Sequence, residues 1–389
     1  MFKMAAGSAS LCIDLTNQIV KPRRIFAEES LPFNRIVYRL LGSTGFKVSE
    51  IGMGCMNMRD SELVRAALDL GINYFDTAWG YMNGENERVV GKVMKTERNR
   101  VFLTTKMPPK TSDEIMKMME TSLERLQTDH VDLVLLHGVD SKQQLFDENF
   151  KETFNKLREK GMTRYVGVST HSNNAEVLDA AVESKFWEAV LVGYNYMSPE
   201  NVRISIEKAR KAGLAIIAMK NLFNPIDIKT WNWEMIKDIR KDKSTKITST
   251  QALIKWVLED PNIDITIPGI TSFEQLHENI AIMGMDIRFG ERSSLHRYSG
   301  DINNLQCRGV SGCTGCMTQC PKGVRINELN RCLKYAYSYK NMNLARENYR
   351  ALPRSLKIDI CKDCTECIIK CVNGLNLNET ITKARNLFG

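Results

Sequence analysis

No apolar run in the chain approaches the ~20 residues that span a bilayer. The longest, Leu214-Ala-Ile-Ile-Ala-Met219, is strand-sized. A membrane span is thereby excluded. Paired arginines occur in Lys21-Pro-Arg-Arg24, but Ala27-Glu-Glu29 follows where an export signal needs an apolar segment, so a cytoplasmic location is expected. Basic charge is not gathered into a block. The net charge of +8 is spread along the sequence, and without a basic stripe or a recognition motif, nucleic acid is not an expected partner. Cysteine is scarce before residue 307, where only Cys12 and Cys55 occur, while nine of the eleven cysteines follow. Such clustering without a secretion signal points to metal ligation and away from a disulfide framework.

With 43% hydrophobic and 26% charged residues among 389, the composition is that of a globular protein. The length suits one large domain plus a smaller one, since single cores stop growing at roughly 250 to 300 residues. Residues 1–35 show no clear period and are set apart as an N-terminal extension. From Ile36, two apolar segments flank Gly42-Ser-Thr-Gly45 and predict a pair of short strands joined by a turn.

Eight short apolar runs follow, beginning near Ile51, Asn73, Val101, Val131, Tyr165, Ala189, Ala215 and Ile263. Amphipathic stretches such as Ser112 to Leu126 and Asn174 to Ser184 lie between them. Repeating strand–helix units predict an α/β protein, a (β/α)8 TIM barrel over residues 36–290, with an open doubly wound sheet as the rival. The count of eight, and ionisable residues at the ends of consecutive strands, favour the barrel. The interval from Asn221 to Thr245, with Trp231 and Trp233, reads as an inserted loop over the rim, either a lid or a packed surface excursion. A polar, Arg-rich connector then leads to residues 291–389, expected to form a smaller, mainly helical second domain.

Asp76-Thr-Ala-Trp-Gly-Tyr81 places a carboxylate and a phenol beyond one predicted strand, and the runs ending at Lys106 and His137 supply an ammonium and an imidazole. An unperturbed phenol has a pKa of about 10. Lys106 is therefore expected to stabilise the Tyr81 anion, Asp76 to hold Lys106, and His137 to donate to an oxygen gaining negative charge. The set suits protonation of a carbonyl oxygen while hydride reaches the carbon.

Residues 36 to about 285 resemble an aldo-keto reductase. The resemblance rests on Asp76-Thr-Ala-x-x-Tyr81, Thr104-Thr-Lys106, Leu135-Leu-His137, Gly167-Val-Ser169, Tyr194-Asn195, Ala218-Met-Lys220 and Ile267-Pro-Gly269 followed by Glu278-Asn279. It implies Asp76, Tyr81, Lys106 and His137 as catalytic residues. It further implies NADPH or NADH as hydride source, bound through Ser169, Lys220, Gly269, Ser272, Glu278 and Asn279. The chain departs from the family in carrying Thr170 for a common Asn and Leu191 for a common Gln, and no Arg stands near Gly269-Ile-Thr-Ser272 to grip a 2′-phosphate. The choice between NADPH and NADH stays open.

Cys361-x2-Cys364-x2-Cys367-x3-Cys371 matches the run that holds 4Fe-4S clusters in bacterial-type ferredoxins. An upstream set, Cys307, Cys313, Cys316 and Cys320-Pro321, differs in its first interval, which Arg308-Gly-Val-Ser-Gly312 can loop out. By ferredoxin exchange, Cys307, Cys313, Cys316 and Cys371 would bind one cluster, and Cys320, Cys361, Cys364 and Cys367 the other. Structural zinc is the alternative, while Cys332 reads as a buried thiol. The whole resembles the ferredoxin-bearing branch of the aldo-keto reductases.

The expected activity is NAD(P)H-linked reduction of a small carbonyl compound, or oxidation of an alcohol. Nicotinamide moves two electrons together and each cluster carries one. The clusters therefore either serve a redox partner protein or a flavin, or hold the fold of the tail. A nicotinamide-binding redox sensor or electron carrier without turnover is the alternative function.

Overall fold

A computed structural model describes residues 25–26, 36–222, 247–301, 306–317, 319–364 and 367–389. Most of the N-terminal extension and most of the interval from Asn221 to Thr245, including Trp231 and Trp233, lie outside the described residues. Strand β1 (Ile25–Phe26) pairs antiparallel with β2 (Val37–Leu40), which pairs antiparallel with β3 (Lys47–Ser49). The turn after β2 needs Gly42, whose φ is +53° and whose missing Cβ would stand 2.5 Å from the Ala215 backbone nitrogen.

Eight parallel strands follow in sequence order: β4 (Met53–Gly54), β5 (Tyr74–Asp76), β6 (Phe102–Met107), β7 (Val131–Val139), β8 (Thr163–Thr170), β9 (Ala189–Gly193), β10 (Ala215–Met219) and β11 (Ile265–Thr266). The sheet curls until its edges meet through the parallel bridges Ile51 to Thr266 and Gly54 to Gly269. Gly52 N donates to Thr266 O at 2.8 Å and Gly54 N to Pro268 O at 3.0 Å. All eight predicted runs are strands, in the predicted (β/α)8 order.

Alternation along each strand separates two apolar layers. Tyr74, Phe102, Leu133, Leu135, Leu191, Ile217 and Ile265 form the interior cluster, joined by Leu41 and Val48 of the hairpin, which plugs the end where the strands begin. Phe75, Leu103, Val134, Leu136, Val190, Val192 and Ile216 face outward beneath the helices. The plug is fastened by Gly42 N donating to Asp264 Oδ2 at 2.9 Å and the Tyr165 hydroxyl donating to Thr44 O at 2.9 Å.

The covering helices include α1 (Ser61–Asp69), α2 (Glu85–Glu97) and α3 (Ser112–Leu126). Helix α3 starts at a reciprocal cap between Thr111 and Glu114 and buries Ile115, Met119, Ser122, Leu123 and Leu126, one stripe at helical spacing. Around the barrel follow α4 (Lys142–Phe146), α5 (Glu148–Glu159), α6 (Asn174–Ser184), α7 (Glu200–Lys211), α8 (Ser249–Glu259) and α9 (Phe273–Ile280). Helix α10 (Phe289–Asp301) is joined to α8 by a buried ion pair, Lys255 to Glu291 at 2.7 Å.

The cysteine-bearing segments then pack with α11 (Ile326–Tyr337), α12 (Met342–Ala351) and α13 (Leu377–Phe388). Residues Ile326 to Ala336 of α11 are all buried, polar Asn327, Glu328, Asn330, Arg331 and Lys334 included. Its Leu329 and Leu333 pack with Val324, Ile358, Ile369 and Ile381, while Tyr335 reaches Lys220 at the end of β10. No described helix is long and apolar enough to cross a membrane.

Candidate active site at the barrel mouth

Asp76 ends β5, Lys106 lies on β6 and His137 on β7, so parallel pairing delivers the three side chains to the end where the strands finish. Lys106 Nζ donates to Asp76 Oδ1 at 2.5 Å and to Thr77 O at 2.6 Å. It also reaches the Tyr81 hydroxyl at 3.4 Å. Tyr81 begins a short turn in which Met82 and Asn83 both have positive φ, 54° and 55°, so the chain reverses sharply enough to return the phenol over the strand ends. The His137 ring meets that of Tyr81 edge-on, with centroids 6.0 Å apart. The four residues predicted from sequence thus converge at one mouth.

Burial governs their protonation. It raises the Asp76 carboxyl and lowers the Lys106 ammonium, and each charge opposes the other's shift, which leaves a buried ion pair. Burial, then the charges of Lys106, Arg331 and Lys220, holds His137 at about 3, so the imidazole is neutral at physiological pH. Tyr81 departs from the expectation. Its phenol is not drawn down by Lys106 but pushed well above the usual range, first by burial and then by the Asp76 charge. Lys106 is already committed to Asp76, so its field at the phenol is largely cancelled.

Beside the four residues lies a groove of about 370 Å³ walled by Asp76, Tyr81, Met219, Lys220, Gly269, Thr271 and Gln275. Lys220 and Gly269, two of the residues expected at the cofactor, line this groove. Ser169 is fully buried beneath the mouth, its Oγ accepting from Gly138 N at 3.0 Å. Ser272 caps α9 by accepting from Gln275 N at 3.3 Å, Glu278 accepts from the Thr248 hydroxyl, and Asn279 is buried. None of these four is on the groove wall. Thr271 and Gln275 were missed by sequence reasoning, although they follow Gly269 at the start of a helix, where backbone N–H groups favour anions.

His171 was missed as well. It stands 5.9 Å from His137, ring to ring, and its Nδ1 is buried without a protein partner. Asp76 Oδ2 is orphaned in the same way. Buried polar atoms are ordinarily paired, so both mark a place for a polar ligand.

The cysteines gather into two sets. Cys307 is pushed up to about 12 by burial, and the other charges that raise it come from Cys316, Cys313 and Cys371. Cys361 is raised by burial and then by Cys364, Cys320 and Cys367. The second set lines a cavity of about 330 Å³ with apolar Val324, Ile326, Ile369 and Ile381. The irregular interval is taken up by a 3₁₀ turn, Gly309–Ser311, closed by Gly312 at φ +101°, with Gly309 N donating to Cys307 Sγ at 3.4 Å. Cys332 is fully buried among aliphatic side chains.

The fold is thus a parallel eight-strand barrel with ionisable side chains gathered where its strands finish. Residues 50–289 match the Aldo/keto reductase family, and the chain belongs to it. Among similar proteins, an uncharacterized oxidoreductase, YqkF, of Bacillus subtilis is 26% identical over 277 residues, 62% of this chain and 89% of that one. The methylglyoxal reductase DkgB of Escherichia coli O157:H7 is 23% identical over 258 residues, 64% of this chain and 92% of its own. Of solved structures, an aldo-keto reductase from Klebsiella pneumoniae in complex with NADPH superposes with a TM-score of 0.56 at 26% identity. That match covers 67% of this chain and 94% of the Klebsiella protein.

Proposed function

We propose that the protein reduces a small carbonyl compound with NADPH, with Tyr81 as proton donor, and that residues 291–389 carry two 4Fe-4S clusters. The observation that carries the catalytic reading is the convergence of Lys106, Asp76, Tyr81 and His137 beside an open groove. The similar Klebsiella structure is a complex with NADPH. Here Gly269, Thr271 and Gln275 would hold such a dinucleotide. When bound, it supplies a hydride to the carbonyl carbon.

The chain's own groups then manage the oxygen. Neutral His137 donates a hydrogen bond to it as charge develops, and its low pKa keeps it from competing as an acid. Tyr81 transfers the proton. Its raised pKa does not impede this direction, because a nascent alkoxide is far more basic than a phenolate. Asp76 holds Lys106 in place with its Nζ 3.4 Å from the Tyr81 hydroxyl, where it can donate a hydrogen bond to the oxygen that gives up its proton.

The iron–sulfur reading rests on the division of eight cysteines into the two exchanged sets. The donors are all cysteine sulfurs, and the cavity at Cys320, Cys361, Cys364 and Cys367 has Val324, Ile326, Ile369 and Ile381 in its wall, surroundings that suit a cluster.

Tyr81→Phe tests the enzyme assignment. The variant is expected to lose carbonyl reduction by a factor of roughly 10² to 10⁴, with NADPH affinity and cluster absorbance retained. A wild-type holoprotein that binds NADPH yet reduces no aldehyde or ketone across a broad panel overturns it.

A further inference from the structure

Catalysis by Asp76, Tyr81, Lys106 and His137 leaves unused a second phenol–ammonium pair at the same mouth. Lys220, at the end of β10, donates from Nζ to the Tyr335 hydroxyl at 3.2 Å, and Tyr335 belongs to α11 of the C-terminal segment. Arg331 Nη1 reaches the same hydroxyl at 3.4 Å. Tyr335 is only 3% exposed, yet it shares with Tyr81, His137 and His171 the wall of a cavity of about 200 Å³.

The charges around this phenol are unevenly satisfied. Arg331 is neutralised by Glu328, to which it donates from Nε at 2.9 Å and from Nη2 at 2.7 Å, and it also holds Asn348 Oδ1 at 2.6 Å. Among the described residues, no carboxylate pairs with Lys220, whose ammonium instead lies 4.9 Å from the centre of the Tyr335 ring and 5.5 Å from that of Tyr339. Its backbone is held in the left-handed region, φ +57°, while Asn195 Nδ2 donates to its carbonyl at 3.0 Å. Such backbone is costly for a residue with a side chain and persists where the surroundings enforce it. Here it turns the ammonium toward the mouth.

We propose that Lys220 and Tyr335 are a second recognition point for substrate, and that the enzyme takes compact carbonyl compounds bearing a carboxylate. The carbonyl oxygen meets Tyr81 and His137, and the carboxylate meets Lys220 and the Tyr335 hydroxyl. The inference rests on the reductase reading and extends it to the substrate class. Burial opposes the Lys220 charge, but the phenols of Tyr335 and Tyr339 outweigh it and keep the ammonium protonated. With no carboxylate paired to it among the described residues, it can donate to an incoming carboxylate, which also accepts from the phenol, two charge-assisted hydrogen bonds. The cavity is smaller than the roughly 300 to 1,000 Å³ of sites for drug-sized ligands, which limits the substrate to a few carbons. Glu347 is the carboxyl on this wall among the described residues, and burial raises its pKa, which lessens its repulsion of an anion.

The test uses the holoprotein with NADPH and compares glyoxylate and succinic semialdehyde with acetaldehyde and butanal. Wild type is expected to favour the better oxo-acid by about tenfold or more in kcat/KM, and Y335F to reduce that ratio about tenfold, the worth of one hydrogen bond to a charged group. E347Q is expected to lower KM for the oxo-acids, and serves also if Y335F fails to fold. Preference for the plain aldehydes overturns the proposal, as does a ratio unmoved by Y335F. A Y335F variant whose only defect is weaker NADPH binding, measured by fluorescence titration, assigns the pair to the cofactor and overturns it too. Tyr81→Phe separates the two levels. If it retains turnover, the reductase reading itself fails; if it loses both substrate series while Y335F leaves their ratio intact, only this inference does.

Discussion

Lys106 Nζ lies 2.5 Å from Asp76 Oδ1, and both side chains are almost wholly withdrawn from solvent. Breaking a buried pair strands the remaining charge, so Asp76→Asn or Lys106→Met is expected to destabilise the fold by about 3 to 5 kcal/mol. The double substitution should cost less than the sum of the two. Urea unfolding of the three variants checks this, and a loss below about 1 kcal/mol for either single change would show the pair to be solvated.

A high phenol pKa and a low imidazole pKa predict a flat pH profile for carbonyl reduction. The kcat/KM should vary little from about pH 6 to 9, because burial moves the titration of both groups outside that range. Oxidation of the product alcohol should rise with pH, since it needs the phenolate. A bell centred near neutrality in the reductive direction contradicts this assignment.

Stability should respond to His137 in a defined window. Its folded pKa of about 3 lies below the unfolded value of 6.5. As pH falls below 6.5 the unfolded chain takes a proton that the folded chain refuses, and stability drops by about 1.4 kcal/mol per pH unit for this group until about pH 3. Asp264, raised to about 6, works the other way, because its folded carboxyl takes up a proton first. Comparing wild type with His137→Gln in acid unfolding isolates the histidine, and the variant should show the shallower loss.

Gly193 and Val310 fix how the C-terminal segment sits on the barrel. A Cβ at position 193 would stand 2.0 Å from the Val310 carbonyl oxygen, and that oxygen is backbone, which cannot simply swing aside. Gly193→Ala is expected to loosen the segment, measured as faster proteolysis beyond residue 306 at unchanged barrel circular dichroism. Equal protease resistance would mean that the strand end shifts instead.

The two cysteine sets should fail independently. Cys313→Ser and Cys364→Ser are each expected to lower iron from about eight to about four per chain, while Cys332→Ser leaves it unchanged. Iron and sulfide analysis after anaerobic purification decides it, and zinc in place of iron would refute the cluster reading.

The repeated alternation of short apolar runs with amphipathic stretches determined the barrel, because strands buried on both faces need a continuous apolar sequence and their helices need a stripe. Ser112 to Leu126 and Asn174 to Ser184 could be bounded from sequence for the same reason. Asp76, Lys106 and His137 were legible because parallel strands of one sheet all deliver their last residues to the same rim. Cysteine spacing set the tail apart from the barrel, since nine of the eleven cysteines lie from residue 307 onward.

What the tertiary structure alone decided is everything that depends on separation in space between distant segments. Tyr335 meets Lys220 across 115 positions, and Arg325 pairs with Asp140 across 185. No local period reports such contacts, so the contribution of α11 to the mouth was invisible beforehand. Burial was equally hidden. A sequence shows that a phenol has a lysine for a neighbour, but whether that ammonium is free to stabilise a phenolate or is already held by a carboxylate depends on distances and solvent access that only the folded chain sets.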